Sequence, residues 1–145
     1  MKPLILYGTE TGNAEMLAED IASHLGDAQL LNMSDATVAA LTAAGLLIVV
    51  CSTYGEGELP SGARALHAAV EAARPDLSNL RFAAFSLGDK ATYPDTFARG
   101  GAIWAETLSA LGARQLGEIA THDAAGADLA EEIALPWIDD IMAEA

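Results

Sequence analysis

Two stretches decide how this chain is read: Gly8-Thr9-Glu10-Thr11-Gly12-Asn13-Ala14 and Cys51-Ser52-Thr53-Tyr54-Gly55-Glu56-Gly57. Each follows an apolar run, Leu4 to Tyr7 for the first and Leu46 to Val50 for the second, and each precedes a helical pattern. A buried strand that turns through glycines into a helix is the repeating unit of an α/β domain with a parallel sheet.

The groups in these loops have a chemistry of their own. Gly8 and Gly12 let the backbone turn tightly and approach a ligand closely. Thr9 and Thr11 add hydroxyls, and the helix that starts at Asn13 presents N–H groups and a favourable dipole to an anion. The loop contains no Lys or Arg. That argues against a nucleoside triphosphate, whose glycine-rich loop supplies a lysine, and leaves a monophosphate held by neutral donors. In the second loop Ser52 and Thr53 can donate to a ring edge, and Tyr54 can lie on a ring face. Gly55 and Gly57 permit a peptide to reorient, while Glu56 and Glu58 add negative charge. A third loop, Leu87-Gly88-Asp89-Lys90-Ala91-Thr92-Tyr93-Pro94-Asp95-Thr96-Phe97, brings a second aromatic, Tyr93, able to sandwich a flat ring. Phe97 reads first as a core residue at a helix start. Taken singly, the first two loops are also an ordinary strand–helix turn and an acidic surface loop.

Working outward, helix patterns cover Asn13 to Leu25, Ala36 to Ala44, Gly62 to Ala73, Thr96 to Leu111 and Leu129 to Met142. Strand patterns cover Ala28 to Met33, Arg81 to Leu87 and Arg114 to Ala120 in addition to the two already named. Five strands alternating with five helices imply a parallel sheet covered on both faces, with right-handed crossovers. Ligands bind such sheets beyond the carboxyl ends of the strands, where all three loops lie.

The 145 residues, 52% of them hydrophobic, suit one packed domain spanning 1–145. No apolar run reaches the roughly 20 residues a membrane span needs, and the start is too short for a signal peptide. A single cysteine, Cys51, rules out an internal disulfide, and the expected location is the cytoplasm. The net charge of −14 disfavours nucleic acid and anionic membranes, and after Arg114 eight acids follow with no Lys or Arg. This balance suits high solubility and steering toward a basic protein partner. His24, His67 and His122 are scattered and predict no metal site. Cys51, Trp104 and Trp137 read as core residues.

Together these loops make the chain resemble the flavodoxin-like FMN-binding family, above all the FMN domains of diflavin reductases such as cytochrome P450 reductase and the sulfite reductase flavoprotein, and the short flavodoxin-like proteins related to them. Gly8 to Glu15 matches that family's phosphate loop, Ser52 to Glu58 its inner stacking loop, and Leu87-Gly88-Asp89 with Tyr93 and Phe97 its outer stacking loop. The likeness covers nearly the whole chain, although Asp89 to Phe97 is two residues longer than in the reductase domains. The resemblance implies a three-layer doubly wound sandwich with five parallel strands in the order 2-1-3-4-5. It implies FMN, with its phosphate held by Thr9, Glu10, Thr11, Gly12, Asn13 and Ala14. It places Ser52, Thr53, Tyr54, Gly55, Glu56, Gly57, Leu87, Gly88, Asp89, Tyr93 and Phe97 around the ring, with Tyr54 and Tyr93 stacking on it, the Gly55 carbonyl meeting the reduced N5, and Asp123 near the dimethylbenzene edge.

The expected function is one-electron transfer by a protein that is not itself an enzyme. A peptide turned toward N5–H would stabilise the neutral semiquinone, and nearby acids would disfavour the anionic hydroquinone. The expected partners are basic-surfaced redox proteins, a flavodoxin/ferredoxin-type reductase as donor and an acceptor enzyme, with the chain itself a monomer. Its beginning at Met1 favours a free-standing protein. A quinone reductase of the same fold would need a larger substrate pocket. An interaction module without flavin would be colourless. A receiver domain would need acids where Gly8-Thr9 and Ser52-Thr53 stand.

Overall fold

The computed structural model describes residues 2–9, 12–53, 57–88, 99–124 and 129–145. The central sheet runs β2 (Gln29–Asn32), β1 (Leu4–Gly8), β3 (Leu46–Ser52), β4 (Arg81–Gly88) and β5 (Arg114–Gln115), with every pairing parallel. The chain is therefore the doubly wound α/β fold expected, with strand order 2-1-3-4-5. A further short strand, β6 (Ala120–Asp123), continues along β4 beyond β5.

Alternation along the strands builds two cores. Leu4, Leu6, Leu47, Val49, Cys51, Phe82 and Ala84 face one side of the sheet, where α2 (Val38–Ala43), α3 (Ser61–Ala73) and α4 (Arg99–Ala110) cover them. Ile5, Tyr7, Ile48, Val50, Ala83 and Phe85 face the other side, under α1 (Asn13–Leu25) and α5 (Ala130–Glu144). β3 is buried from Leu46 to Cys51, so both faces of it must be apolar, which is why its sequence reads as an unbroken hydrophobic run. On α1 the apolar positions Ala14, Leu17, Ala18 and Ile21 form one buried stripe at three- and four-residue spacing.

The fifth strand differs from the expected Arg114 to Ala120. It breaks after Gln115 and resumes at Ala120. The cause is Gly117, which turns the chain at φ +63, where a Cβ would stand 2.9 Å from Ile141 Cδ1 of α5. The chain bends there so that α5 can seat its apolar stripe. β2 is likewise shorter than its pattern, giving way to a single 3-10 turn at Met33–Asp35, where Asn32 Oδ1 accepts the Ser34 N–H at 3.0 Å. The described part of the fourth helix is Arg99–Ala110, and its expected start at Thr96 lies outside the described residues.

Cys51 and Trp104 are core residues, with 0% and 1% of their surface exposed, and Trp137 packs half-buried with its ring edge-on to Phe85. No described helix is long and apolar enough to cross a membrane.

Candidate functional site

Strand register decides where the loops emerge. Gly8 pairs with Cys51, Cys51 with Ser86, Ser52 with Leu87, Leu87 with His122 and Gly88 with Asp123. The carboxyl ends of β1, β3, β4 and β6 thus finish side by side, and the connections leaving them share one edge. The strand order reverses between β1 and β3, because β1 is followed by a crossover to β2 on one side and β3 continues on the other. A crevice opens at such a point.

At the end of β1, Thr9 is half-buried and its Oγ1 accepts the Gly12 N–H at 2.8 Å. Its own hydroxyl hydrogen stays available, since a hydroxyl donates and accepts together. Gly12 holds φ +94, a left-handed conformation that suits glycine, and among the described residues no side chain caps α1. The first intrahelical bond returns from Met16 N–H to the Gly12 carbonyl, so the N–H groups of Asn13, Ala14 and Glu15 precede the helical ladder. Asn13 is exposed, whereas the Ala14 methyl is buried and offers only its backbone. These neutral donors at a thirteen-residue helix start fit a phosphate monoester. Beneath them, Gly8 allows close packing: a Cβ there would stand 2.8 Å from Met33 Sδ and 3.0 Å from the Ala63 methyl.

At the end of β3, Ser52 and Thr53 are half-buried. Thr53 is tied twice, its N–H donating to the Leu87 carbonyl and its Oγ1 accepting the Gly100 N–H, each at 2.9 Å. Its hydroxyl hydrogen, like that of Thr9, is not consumed by accepting. The Leu87 side chain points into the α1/α5 core with 7% exposure, so this residue contributes backbone alone. Gly88 is half-buried, and its carbonyl accepts the Ala124 N–H at 2.8 Å, which fixes β6 and Asp123 beside the end of β4. Gly57 is buried at φ +95, again a conformation suited to glycine. Of the expected site residues, Thr9, Gly12, Asn13, Ala14, Ser52, Thr53, Leu87 and Gly88 come together along this edge. Glu10, Thr11, Tyr54, Gly55, Glu56, Asp89, Tyr93 and Phe97 lie outside the described residues.

The structure adds Gly100, Gly101 and Ser86, which sequence reading missed. A Cβ on Gly100 would stand 2.6 Å from the Ser52 carbonyl oxygen, and one on Gly101 2.7 Å from the Ser86 Cβ. The signal was a Gly-Gly pair inside a helical pattern, where glycine is costly unless something packs against its bare backbone.

Burial pushes the Cys51 thiol up to about 12. The buried Trp104 Nε1 beside it meets no hydrogen-bond partner among the described residues. The sulfur donates to the Ser52 carbonyl at 3.4 Å and stays a neutral thiol. Among the described residues no group of His, Cys, Asp or Glu is placed to hold a metal ion.

A parallel sheet of this order, with a glycine- and threonine-bearing turn into α1 at its switch point, is the flavodoxin-type doubly wound architecture. The flavodoxin family model matches residues 5–137, and the chain belongs to that family, whose members bind FMN. It is 39% identical over 117 residues to the sulfite reductase [NADPH] flavoprotein alpha-component of Shewanella sp. (strain MR-7), covering 77% of this chain and 19% of that protein. It is 34% identical over 149 residues to NADPH-dependent diflavin oxidoreductase 1 of Cryptococcus neoformans, covering 98% of this chain and 24% of that one. The chain thus spans about a fifth to a quarter of the length of the curated relatives it matches. Among solved structures, a Cys-to-Ser variant of flavodoxin from Pseudomonas aeruginosa superposes with a TM-score of 0.86 at 33% identity, covering 99% of this chain and 97% of that one. Oxidised flavodoxin 2 from Bacillus cereus gives 0.88 at 27% identity, each chain fully covered.

Proposed function

We propose that residues 1–145 form a single FMN-binding domain that carries electrons one at a time between a reductase and an acceptor enzyme, without a substrate reaction of its own. The observation that carries this reading is the row of strand ends Gly8, Cys51–Ser52, Leu87–Gly88 and His122–Asp123, which sets the Thr9–Gly12 cradle beside the Thr53 corner. FMN, when bound, supplies the redox chemistry.

The chain's own groups bind and orient. Thr9 and the start of α1, together with Glu10 and Thr11, take the phosphate. Ser52, Thr53 and Gly57 shape the ring's inner wall with Tyr54, Gly55 and Glu56, and Leu87 and Gly88 form the base of the outer wall that Asp89, Tyr93 and Phe97 complete. The surface around these walls is acidic: Glu15 stands on the first turn of α1, Glu131 and Glu132 on that of α5, and the whole chain carries a charge of −14. Such a field steers basic-surfaced redox proteins toward the site and weakens with salt.

Titration of the apoprotein with FMN tests the reading. Quenching of flavin fluorescence at one equivalent, with a visible flavin spectrum retained after gel filtration, is expected. A protein that takes up no FMN would instead favour a flavin-free interaction module, and NAD(P)H oxidation by the holoprotein without any reductase would favour a quinone reductase.

A further inference from the structure

Leu87 is the last residue but one of β4, and Gly100 is the second residue of α4. Both elements are gripped by the residue that follows β3. Thr53 donates its N–H to the Leu87 carbonyl and accepts the Gly100 N–H on Oγ1, each at 2.9 Å. The grip is built, not incidental. Gly100 sits so close to β3 that a Cβ would fall 2.6 Å from the Ser52 oxygen, and the next residue, Gly101, is held by the fully buried Ser86 hydroxyl at 2.9 Å. The first two described N–H groups after Arg99 are thus met by hydroxyls from the ends of β3 and β4 in turn.

We propose that Thr53 is a positioning residue that clamps both ends of the 88–99 connection and so fixes the two ring-flanking walls relative to each other. The inference rests on the flavin reading for its consequence, but the clamp itself does not depend on flavin. Its hydroxyl serves here as an acceptor for backbone, a role that valine, its isostere, cannot fill and serine can. Losing it leaves the Gly100 N–H without its acceptor and frees one end of the connection.

The test compares Thr53→Val and Thr53→Ser with the unmodified chain. In the apoproteins, the Gly100 amide exchanges faster in T53V than in wild type, and trypsin cuts after Lys90 faster; T53S behaves as wild type in both. T53V binds FMN and riboflavin more weakly by the same factor, about three- to tenfold, because the ring walls and not the phosphate cradle are disturbed. T53S restores both affinities. Unchanged Gly100 exchange and Lys90 cleavage in T53V would overturn the clamp. So would loss of FMN affinity with riboflavin affinity intact. If wild type binds neither flavin, the proposed function falls, while the exchange and cleavage comparison still decides the clamp. If T53V does not fold, Thr53→Ala set against T53S makes the same comparison.

Discussion

Gly101 donates its backbone N–H to Ser86 Oγ at 2.9 Å, and its bare Cα lies so close that an added Cβ would stand 2.7 Å from the Ser86 Cβ. Ser86 is fully buried in β4, so neither it nor the sheet around it can retreat. Gly101→Ala therefore pushes the start of α4 off the sheet. We expect a loss of about 1–3 kcal/mol, the usual range for overpacking. Urea unfolding of the apoprotein should show a lower midpoint with an unchanged slope. An unchanged midpoint would mean that α4 is not seated on Ser86.

Cys51 gives a prediction with a sign. Burial raises its pKa in the folded state from 9.0 to about 12. A raised value means that the folded state favours the neutral thiol. The contribution to stability is complete below about pH 9 and is lost as pH climbs from there toward 12. Between those limits wild type should lose stability faster than Cys51→Ala. At about pH 8 an aromatic disulfide reagent should leave the folded protein unmodified and react fully in denaturant. Rapid modification of the folded chain would contradict the burial of the sulfur.

Much of this fold was legible because it depends on period. The unbroken run through β3 announces a strand covered on both sides, and the three- and four-residue spacing on α1 announces its buried stripe. The ends of β1 and β3 are legible because glycine and hydroxyl residues follow such runs. What period does not encode is distance. Thr53 and Gly100 are 47 positions apart, and nothing near either residue names the other. The Thr53 hydroxyl reads from sequence as a ring donor, and its acceptor role toward Gly100 shows only once β3, β4 and α4 are set side by side. The break at Gly117 was hidden for a similar reason. Arg114 to Ala120 has strand composition, but the left-handed turn at Gly117, with Ile141 of α5 packed close over it, shows only in the folded chain.

His24 Nε2 meets Asp139 Oδ1 at 2.8 Å, a polar tie between α1 and α5. The side chains are 35% and 64% exposed, so water screens the pair. A double-mutant cycle with His24→Gln and Asp139→Asn should give a coupling below about 1 kcal/mol that shrinks further in about 1 M salt. The apolar stripe of Leu17, Ile21, Ile138 and Ile141 carries the helix packing instead. A coupling of about 2 kcal/mol or more, unmoved by salt, would make the pair a true structural tie.

Thr9 tests the phosphate cradle separately from the ring walls. Its Oγ1 holds the Gly12 N–H at 2.8 Å, which keeps Gly12 at φ +94 at the mouth of α1, and its own hydrogen remains for an anion. Thr9→Val removes both the acceptor and the donor while keeping the shape. FMN affinity should fall by about three- to tenfold, the loss of one hydrogen bond, and Thr9→Ser should recover it. Riboflavin, which has no phosphate, should bind the valine variant as it binds wild type. Calorimetric titration with both flavins reads the difference directly. Equal weakening of riboflavin would show that Thr9 supports the whole edge rather than the phosphate, and the assignment of the cradle would have to move elsewhere on that edge.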